Sequence, residues 1–401
     1  MYSRDIRSYL CVNTLSTFAR TLPQAILTPL LVTKGLSYDG VIVTQIVYMI
    51  ILGLAEYPSG VLADRVSKKQ VYLASIGVTG AAYSLVWLSN GLAAMACAWA
   101  IYALGSALAS STLDVHFAAR LRRNDRAFRA FFSMDRTVVV GATIGGALAS
   151  SVLYPHLGSA IYGVSIAVFV VALIGGWVSL PLARQAEDGP DGSTTKKAAS
   201  PERPEPLKAT IRSDPQVARI VALGTLTQIG MTPFFQLWQF VALDARVSPS
   251  LFGVLFIVSQ LLNVVANVIF RRSRPSFVRS LVLLGFVAGV GVAGLVSGGS
   301  LSLILLALLP LPLFLYSNQI EFSLQSIAPR ESIASITSFL GSTSTVASLL
   351  VLGGLFFGLR FCTADVLLWF FVIAFACTST VLTVTSKRQT PRKVSDGGRD
   401  G

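Results

Sequence analysis

Apolar runs of roughly twenty residues recur along this chain, parted by short polar stretches. Twelve can be delimited, at about 8–32, 40–62, 70–89, 91–112, 131–153, 160–180, 216–243, 250–270, 279–297, 300–323, 333–357 and 364–386. Each is long enough, as a helix, to cross a hydrocarbon layer about 30 Å thick. The runs lack the alternation of barrel strands, and lipid offers no partner to open backbone groups, so helices are predicted. Residues 181–215 differ in kind, with six prolines, many charges and no aromatic residue. That composition predicts a poorly ordered linker dividing six segments from six. The expected organisation is a first bundle over 1–180, a linker over 181–215, a second bundle over 216–386 and a tail over 387–401.

Composition sharpens this picture. A chain of 401 residues that is 53% hydrophobic and 13% charged cannot hide its apolar surface inside soluble domains. The net charge of +13 is placed for topology rather than for nucleic acid. With the N-terminus inside, inner loops and ends hold 28 of the 32 Lys and Arg residues, leaving Arg20, Lys34, Arg246 and Arg360. This asymmetry predicts cytoplasmic termini in a multi-pass cell-membrane protein, with basic loops facing anionic lipid. The run Arg120, Arg122, Arg123, Arg126 and Arg129 fits the same role. The first apolar run is too long, with Arg20 at its middle, for a cleavable signal peptide. Cys11, Cys97, Cys362 and Cys377 read as packing residues, and two histidines give a metal site little to work with. No P-loop, catalytic triad or metal-protease signature occurs, so neither a cofactor nor enzyme activity is expected.

The loop between segments two and three carries the one specific motif, Gly60-Val-Leu-Ala-Asp-Arg-Val-Ser-Lys-Lys69. It resembles the loop between the second and third helices of the major facilitator superfamily, G-x-L-A-D-R-x-G-R-K. Gly60, Leu62, Ala63, Asp64, Arg65 and Lys69 fit, while Lys68 stands for Arg and Ser67 for the second Gly. Glu56-Tyr57-Pro58-Ser59 resembles the E-x-P-[ST]-G lead-in of part of that superfamily. The resemblance implies a secondary transporter of twelve helices in two pseudo-symmetric six-helix bundles, whose segments 1, 4, 7 and 10 line a central cavity. It also implies that the motif loop gates, the acid at Asp64 locking an outward-open state, with Arg65, Lys68 and Lys69 beside it.

The halves echo each other in sequence. Arg-x-Ser followed by a further basic residue occurs at 65–68 and again at 271–274, and Leu36-Ser37 and Val247-Ser248 open matching helices. Gly141, Gly145 and Gly146 place small residues one turn apart in segment five, as a close helix contact requires. Ser338, Gly341, Ser342, Thr345 and Ser348 do so in segment eleven.

Polar stripes mark the candidate site. Asn13, Thr17, Arg20, Gln24 and Thr28 recur at helical steps in segment one, and Thr225, Gln228, Thr232, Gln236 and Gln239 in segment seven, with Trp238 alongside. Each unsatisfied polar group facing lipid would cost on the order of a few kcal/mol, so both stripes must face protein or water. Segment four adds Tyr102, Ser106, Ser110 and Asp114, and segment ten adds Tyr316, Asn318, Gln319, Glu321 and Ser323. The cavity candidates are Asn13, Thr17, Arg20, Gln24, Tyr102, Ser106, Gln228, Thr232, Gln236, Trp238, Tyr316 and Gln319; the alternative for any one is hydrogen bonding between packed helices.

Arg20 at mid-membrane carries an insertion cost of roughly 2.5–3.5 kcal/mol and therefore needs a function or a partner, Glu56 being the first acid to consider. Glu56, Asp114 and Glu321 are candidates for coupling to protons, with Glu56 alternatively locking the turn below it. Asp64 can cap segment eleven after Arg330-Glu331-Ser332, and Asp114 can pair with Arg65, Lys68 or Arg136. Segment four has Ile101 where many drug–proton antiporters carry arginine. The mixture of amides, hydroxyls and aromatics favours export of a small drug-like or amphipathic compound by a monomer. Coupled import of a sugar or other metabolite is the alternative, and a non-transporting receptor a more distant one.

Overall fold

A computed structural model describes residues 4–109, 125–180, 215–273, 277–297, 301–327 and 333–389, and their regular structure is helical. The first apolar segment forms α1 (Arg4–Gln24) and α2 (Leu27–Thr33). Segments two to six form α3 (Tyr38–Arg65), α4 (Lys68–Leu88), α5 (Leu92–Ala109), α6 (Asp125–Leu157) and α7 (Ile161–Ser179). Beyond the linker follow α8 (Pro215–Asp244), α9 (Phe252–Ser273), α10 (Phe277–Ser297), α11 (Leu301–Leu308) and α12 (Pro310–Ile327), then α13 (Ile333–Gly358) and α14 (Ala364–Gln389). Segments one and ten are thus each broken in two. Pro23 and Pro310 stand beside the breaks, since a proline removes an N–H and crowds the preceding turn.

Nine helical stretches among the described residues are long and apolar enough to cross a membrane. One of them, Ser133–Ser179, runs through both α6 and α7. Leu54, Val152, Val178 and Leu350 lie largely open on helix surfaces, as lipid-facing side chains do. The result is an all-helical membrane fold.

The described chain packs as two compact units. One comprises Met1–Pro204 with Phe235–Leu261 and Ser348–Leu367; the other comprises Glu205–Phe234, Leu262–Ala347 and Leu368–Gly401. In the first unit, α1 packs against α6 and α7, and α5 against α3 and α4. Gly146 of α6 lies so close to α1 that a Cβ there would stand 3.0 Å from the Phe18 carbonyl oxygen. At Gly253 of α9 a Cβ would come within 2.2 Å of the Ala147 carbonyl oxygen and the Ser151 hydroxyl of α6. Only glycine permits such backbone approach.

One turn occurs twice in this unit with the same hydrogen bonds. Past α2, Gly35 adopts φ +86°, its N–H bonding the Val32 carbonyl at 2.9 Å and the Leu36 N–H the Leu31 carbonyl at 3.2 Å. Past α8, Arg246 adopts φ 57°, its N–H bonding Leu243 at 2.9 Å and the Val247 N–H bonding Ala242 at 2.9 Å. Both are left-handed helix caps of the 6→1 and 5→2 kind. They repeat, in backbone, the echo between Leu36-Ser37 and Val247-Ser248.

Replacing Gly253 by Ala should cost roughly 1–3 kcal/mol by overpacking, read as a lowered unfolding temperature of the detergent-solubilised protein. Gly285→Ala, whose Cβ meets nothing within 4 Å, should leave that temperature unchanged. Equal behaviour of the two variants would contradict the close contact of α6 with α9.

Candidate solute-binding site

The polar face of segment one meets a different neighbour at almost every step. Asn13 Nδ2 donates to Asp135 Oδ1 of α6 at 3.0 Å. The Tyr83 hydroxyl of α4 donates to the Arg20 carbonyl at 3.0 Å. Gln24 Nε2 donates to the Tyr102 hydroxyl of α5 at 2.6 Å. Thr17 accepts through its carbonyl from the Thr21 hydroxyl at 2.9 Å, a bond within the helix. Asp135 is a site residue that sequence reading passed over; its place one face of a helix away from Asn13 is visible only once α1 and α6 are packed.

Around Arg20 the walls are aromatic. Among the described residues, the ionisable groups within electrostatic reach of its guanidinium are the phenols of Tyr102, Tyr83, Tyr72 and Tyr48. Tyr102 packs against Tyr48 at 5.4 Å, Tyr83 at 5.8 Å and Trp99 at 6.4 Å between ring centroids. Tyr83 in turn meets Tyr162 edge-on at 5.3 Å. Tyr83, Trp99, Tyr102, Tyr162 and Gln24 line a narrow pocket that also takes in Pro23. Glu56 is exposed on α3 and does not pair with Arg20. Arg20 Nε is buried without a hydrogen bond.

The break after Pro23 sets the geometry of this region. In an unbroken helix the Thr28 N–H would bond the Gln24 carbonyl. Here it bonds Gln239 Oε1 of α8 at 2.7 Å, and Gln239 Nε2 faces the Gln24 and Ala25 carbonyls at 3.4 Å each. Ala25 could not bond four residues on in any case, because Pro29 has no N–H. One side-chain amide thus fills the gap in segment one from both sides. Beside it Phe240 stacks on Tyr38 at 4.4 Å and 2°, and the Tyr38 hydroxyl donates to Asp244 at 2.8 Å. Gln239 belonged to the seventh-segment stripe, but its sequence position does not reveal a partner in segment one.

The seventh-segment stripe is shared between the two units. Gln236 and Trp238 lie in the first unit, where Trp238 is buried against Phe252 at 5.8 Å. Gln228 and Thr232 lie in the second, the Thr232 hydroxyl 3.5 Å from Gln228 Oε1. Nearby in sequence, the Thr225 and Thr343 hydroxyls bond at 2.8 Å and join α8 to α13. In the same unit Tyr316 and Gln319 are buried on α12, Tyr316 edge-on to Phe375 at 5.2 Å. Arg219 of α8 reaches the Thr383 carbonyl at 3.4 Å; sequence reading had counted it only among the inner basic residues. Ser106 bonds back to the Tyr102 carbonyl at 3.0 Å.

The motif loop places its two lysines differently. Lys68 is partly exposed, whereas Lys69 is buried, its ammonium donating to the Trp177 carbonyl at 2.8 Å and to the Leu180 carbonyl. Those carbonyls end α7, so Lys69 caps that helix where its dipole favours a cation. Lys34 does the same for α4, donating to the Trp87 carbonyl at 2.7 Å. Gly60 lies inside α3 with nothing within 4 Å of its Cβ position. Glu321 is exposed on α12. Asp114, Ser110 and the Arg330-Glu331-Ser332 stretch lie outside the described residues, as do the side chains of Asp64 and Arg65. Among the described residues no group of His, Cys, Asp and Glu is placed to hold a metal ion.

A broken, polar-faced first helix and a packed set of apolar spans are those of a multi-pass membrane protein. The family model for the Major Facilitator Superfamily matches residues 9–352, and the chain belongs to that superfamily. Among solved structures, a bacterial homologue of the iron transporter ferroportin in an inward-facing state superposes with a TM-score of 0.73 at 13% identity, over 95% of this chain and 98% of that one. The POT family transporter PepTSo gives 0.72 at 15% identity over 97% and 99%. The nucleoside transporter NupG gives 0.70 at 15% identity over 96% and 98%. At these identities the likeness is one of fold. No curated protein matches the sequence.

Gln239→Leu should strand the Thr28 N–H and the Gln24 carbonyl at a cost on the order of 1–3 kcal/mol; hydrogen exchange of the 24–33 segment should quicken, and unaltered exchange would contradict the bridge. Lys69→Met should lower stability by about 1–2 kcal/mol through loss of the α7 cap, while Lys68→Met changes it little. Thermal unfolding of both variants checks this, and a larger loss for Lys68 would reverse the assignment.

Proposed function

We propose that the protein is a secondary carrier of the cell membrane, both termini cytoplasmic, that moves a small organic solute by alternating access. Export of a drug-like, amphipathic compound by a monomer is the reading favoured here. Protons are the proposed coupling ion, with Glu56, Asp114 and Glu321 as candidate carriers, and the loop Gly60, Asp64, Arg65, Lys68 and Lys69 as the proposed gate. The observation that supports this most is the first-segment stripe. Its Gln24 amide and Arg20 guanidinium stand among tyrosine rings rather than against lipid. Amides and phenols beside aromatic faces suit a solute with an apolar body and a few polar groups.

Such a site binds through contacts that must form and release in each cycle, so a fixed, costly charge at mid-membrane is kept only where it acts on the cargo or on the gate. In proteoliposomes with an imposed pH gradient, solute should move outward against the proton gradient, and Arg20→Ala should abolish flux while the protein still inserts and purifies as a folded monomer. Flux that persists undiminished in that variant would remove Arg20 from the site; flux of every tested solute that ignores the gradient would remove proton coupling.

A further inference from the structure

We infer that Arg20 is the anion-binding point of the carrier and that its solute is an organic anion, a compact acidic group such as a carboxylate attached to an apolar body. This rests on the carrier reading and names its substrate class.

The argument starts from the surroundings of one guanidinium. Among the described residues no carboxylate pairs with Arg20, and the acid nearest in expectation, Glu56, is exposed elsewhere on α3. Among the described residues, the ionisable groups within reach of the guanidinium are four phenols, neutral hydrogen-bonding groups that do not balance a full positive charge. Two of those phenols are already engaged. Tyr83 donates to the Arg20 backbone carbonyl, and Tyr102 accepts from Gln24. Arg20 Nε is buried with no hydrogen bond. A buried N–H without an acceptor costs free energy in the empty protein and recovers it when an acceptor arrives. A planar, five-donor guanidinium matches a carboxylate in two parallel hydrogen bonds, as an ammonium does not.

The rings set the rest of the ligand. Tyr83, Tyr102, Tyr162 and Trp99 wall the narrow pocket beside Gln24, and Tyr48 completes the aromatic side. Their faces offer apolar contact, and the Gln24 amide one further polar point. A solute with a free positive charge would meet the Arg20 charge in a poorly screened place and be repelled. The same repulsion makes the site selective by exclusion as well as by attraction.

The test uses three probes on one skeleton: phenylacetate, phenylacetamide and phenethylamine. The full-length protein is held in nanodiscs of zwitterionic lipid, and binding is read calorimetrically. Phenylacetate should bind at least tenfold more tightly than the amide, and the amine more weakly still. Arg20→Gln should abolish that ranking, while Arg20→Lys, which keeps the charge but loses the fork, should keep the order with reduced affinity; the pair separates loss of recognition from loss of fold. Equal or tighter binding of the amide or amine overturns the inference and leaves the carrier reading intact, because flux of those probes is measured separately in proteoliposomes. Lack of binding by phenylacetate, indole-3-acetate and phenyl phosphate alike also overturns it. Nanodiscs containing phosphatidylglycerol add a last arm: displacement of phenylacetate by that lipid would assign the guanidinium to a headgroup phosphate and overturn the solute assignment. Binding without flux of any probe would count against the carrier reading alone.

Discussion

Inside a bilayer every backbone N–H and C=O must find a partner within the protein, and in this chain that constraint is most visible where segment one breaks. Pro23 and Pro29 flank the break between Gln24 and Leu27, and Pro29 leaves the Ala25 carbonyl without the N–H four residues on. The freed groups are taken up by the single amide of Gln239, which accepts from Thr28 and faces two carbonyls at once. The C-terminal part of α8, with Phe240 and Asp244 on Tyr38, lies with segment one in the first packed unit. Breaking a helix also frees its polar face to diverge from a straight line. Gln24 can then turn to Tyr102 while Thr28 turns to α8.

The outline of this fold was legible in the chain, and the reasons are physical. Hydrocarbon thickness dictates the length of each apolar run, so the described helices follow the expected apolar segments, as α3 at Tyr38–Arg65 and α14 at Ala364–Gln389 do, with segments one and ten each broken in two. Small residues in segment five announced a close contact, and Gly146 supplies one against α1. Three of the four basic residues set apart from the expected inner loops have local roles. Lys34 caps α4, Arg246 occupies a left-handed cap, and Arg360 lies 4.7 Å over the ring of Phe356. What sequence could not give was the identity of partners. Asn13 with Asp135, Gln239 with Thr28 and Lys69 with the end of α7 each join residues more than a hundred positions apart, and only packing selects them from many equivalent polar groups. The motif lysine Lys69 shows the difference plainly: its sequence neighbours place it in a loop, while its side chain is buried under a helix end.

The same logic relates stability to function. Polar groups satisfied from within, such as Gln239 and Lys69, hold the scaffold. Those left incompletely satisfied, above all the Arg20 guanidinium among its tyrosines, are where a ligand can improve on the empty protein. Segment one carries both kinds on one face, one turn apart, which ties the rigidity of its break to the placement of its charge.

A carrier of the proposed kind needs water-accessible positions on the polar faces of segments one and seven. That requirement is tested most directly by cysteine accessibility in membrane vesicles, with Cys11, Cys97, Cys362 and Cys377 first replaced by Ala or Ser. Thr17→Cys and Gln228→Cys should react with a membrane-impermeant thiol reagent and be protected by a bound solute, while Val171→Cys, on an open apolar surface of α7, stays unreactive. Thr17 and Gln228 variants as inert as Val171→Cys, from either side of the membrane, would contradict the account.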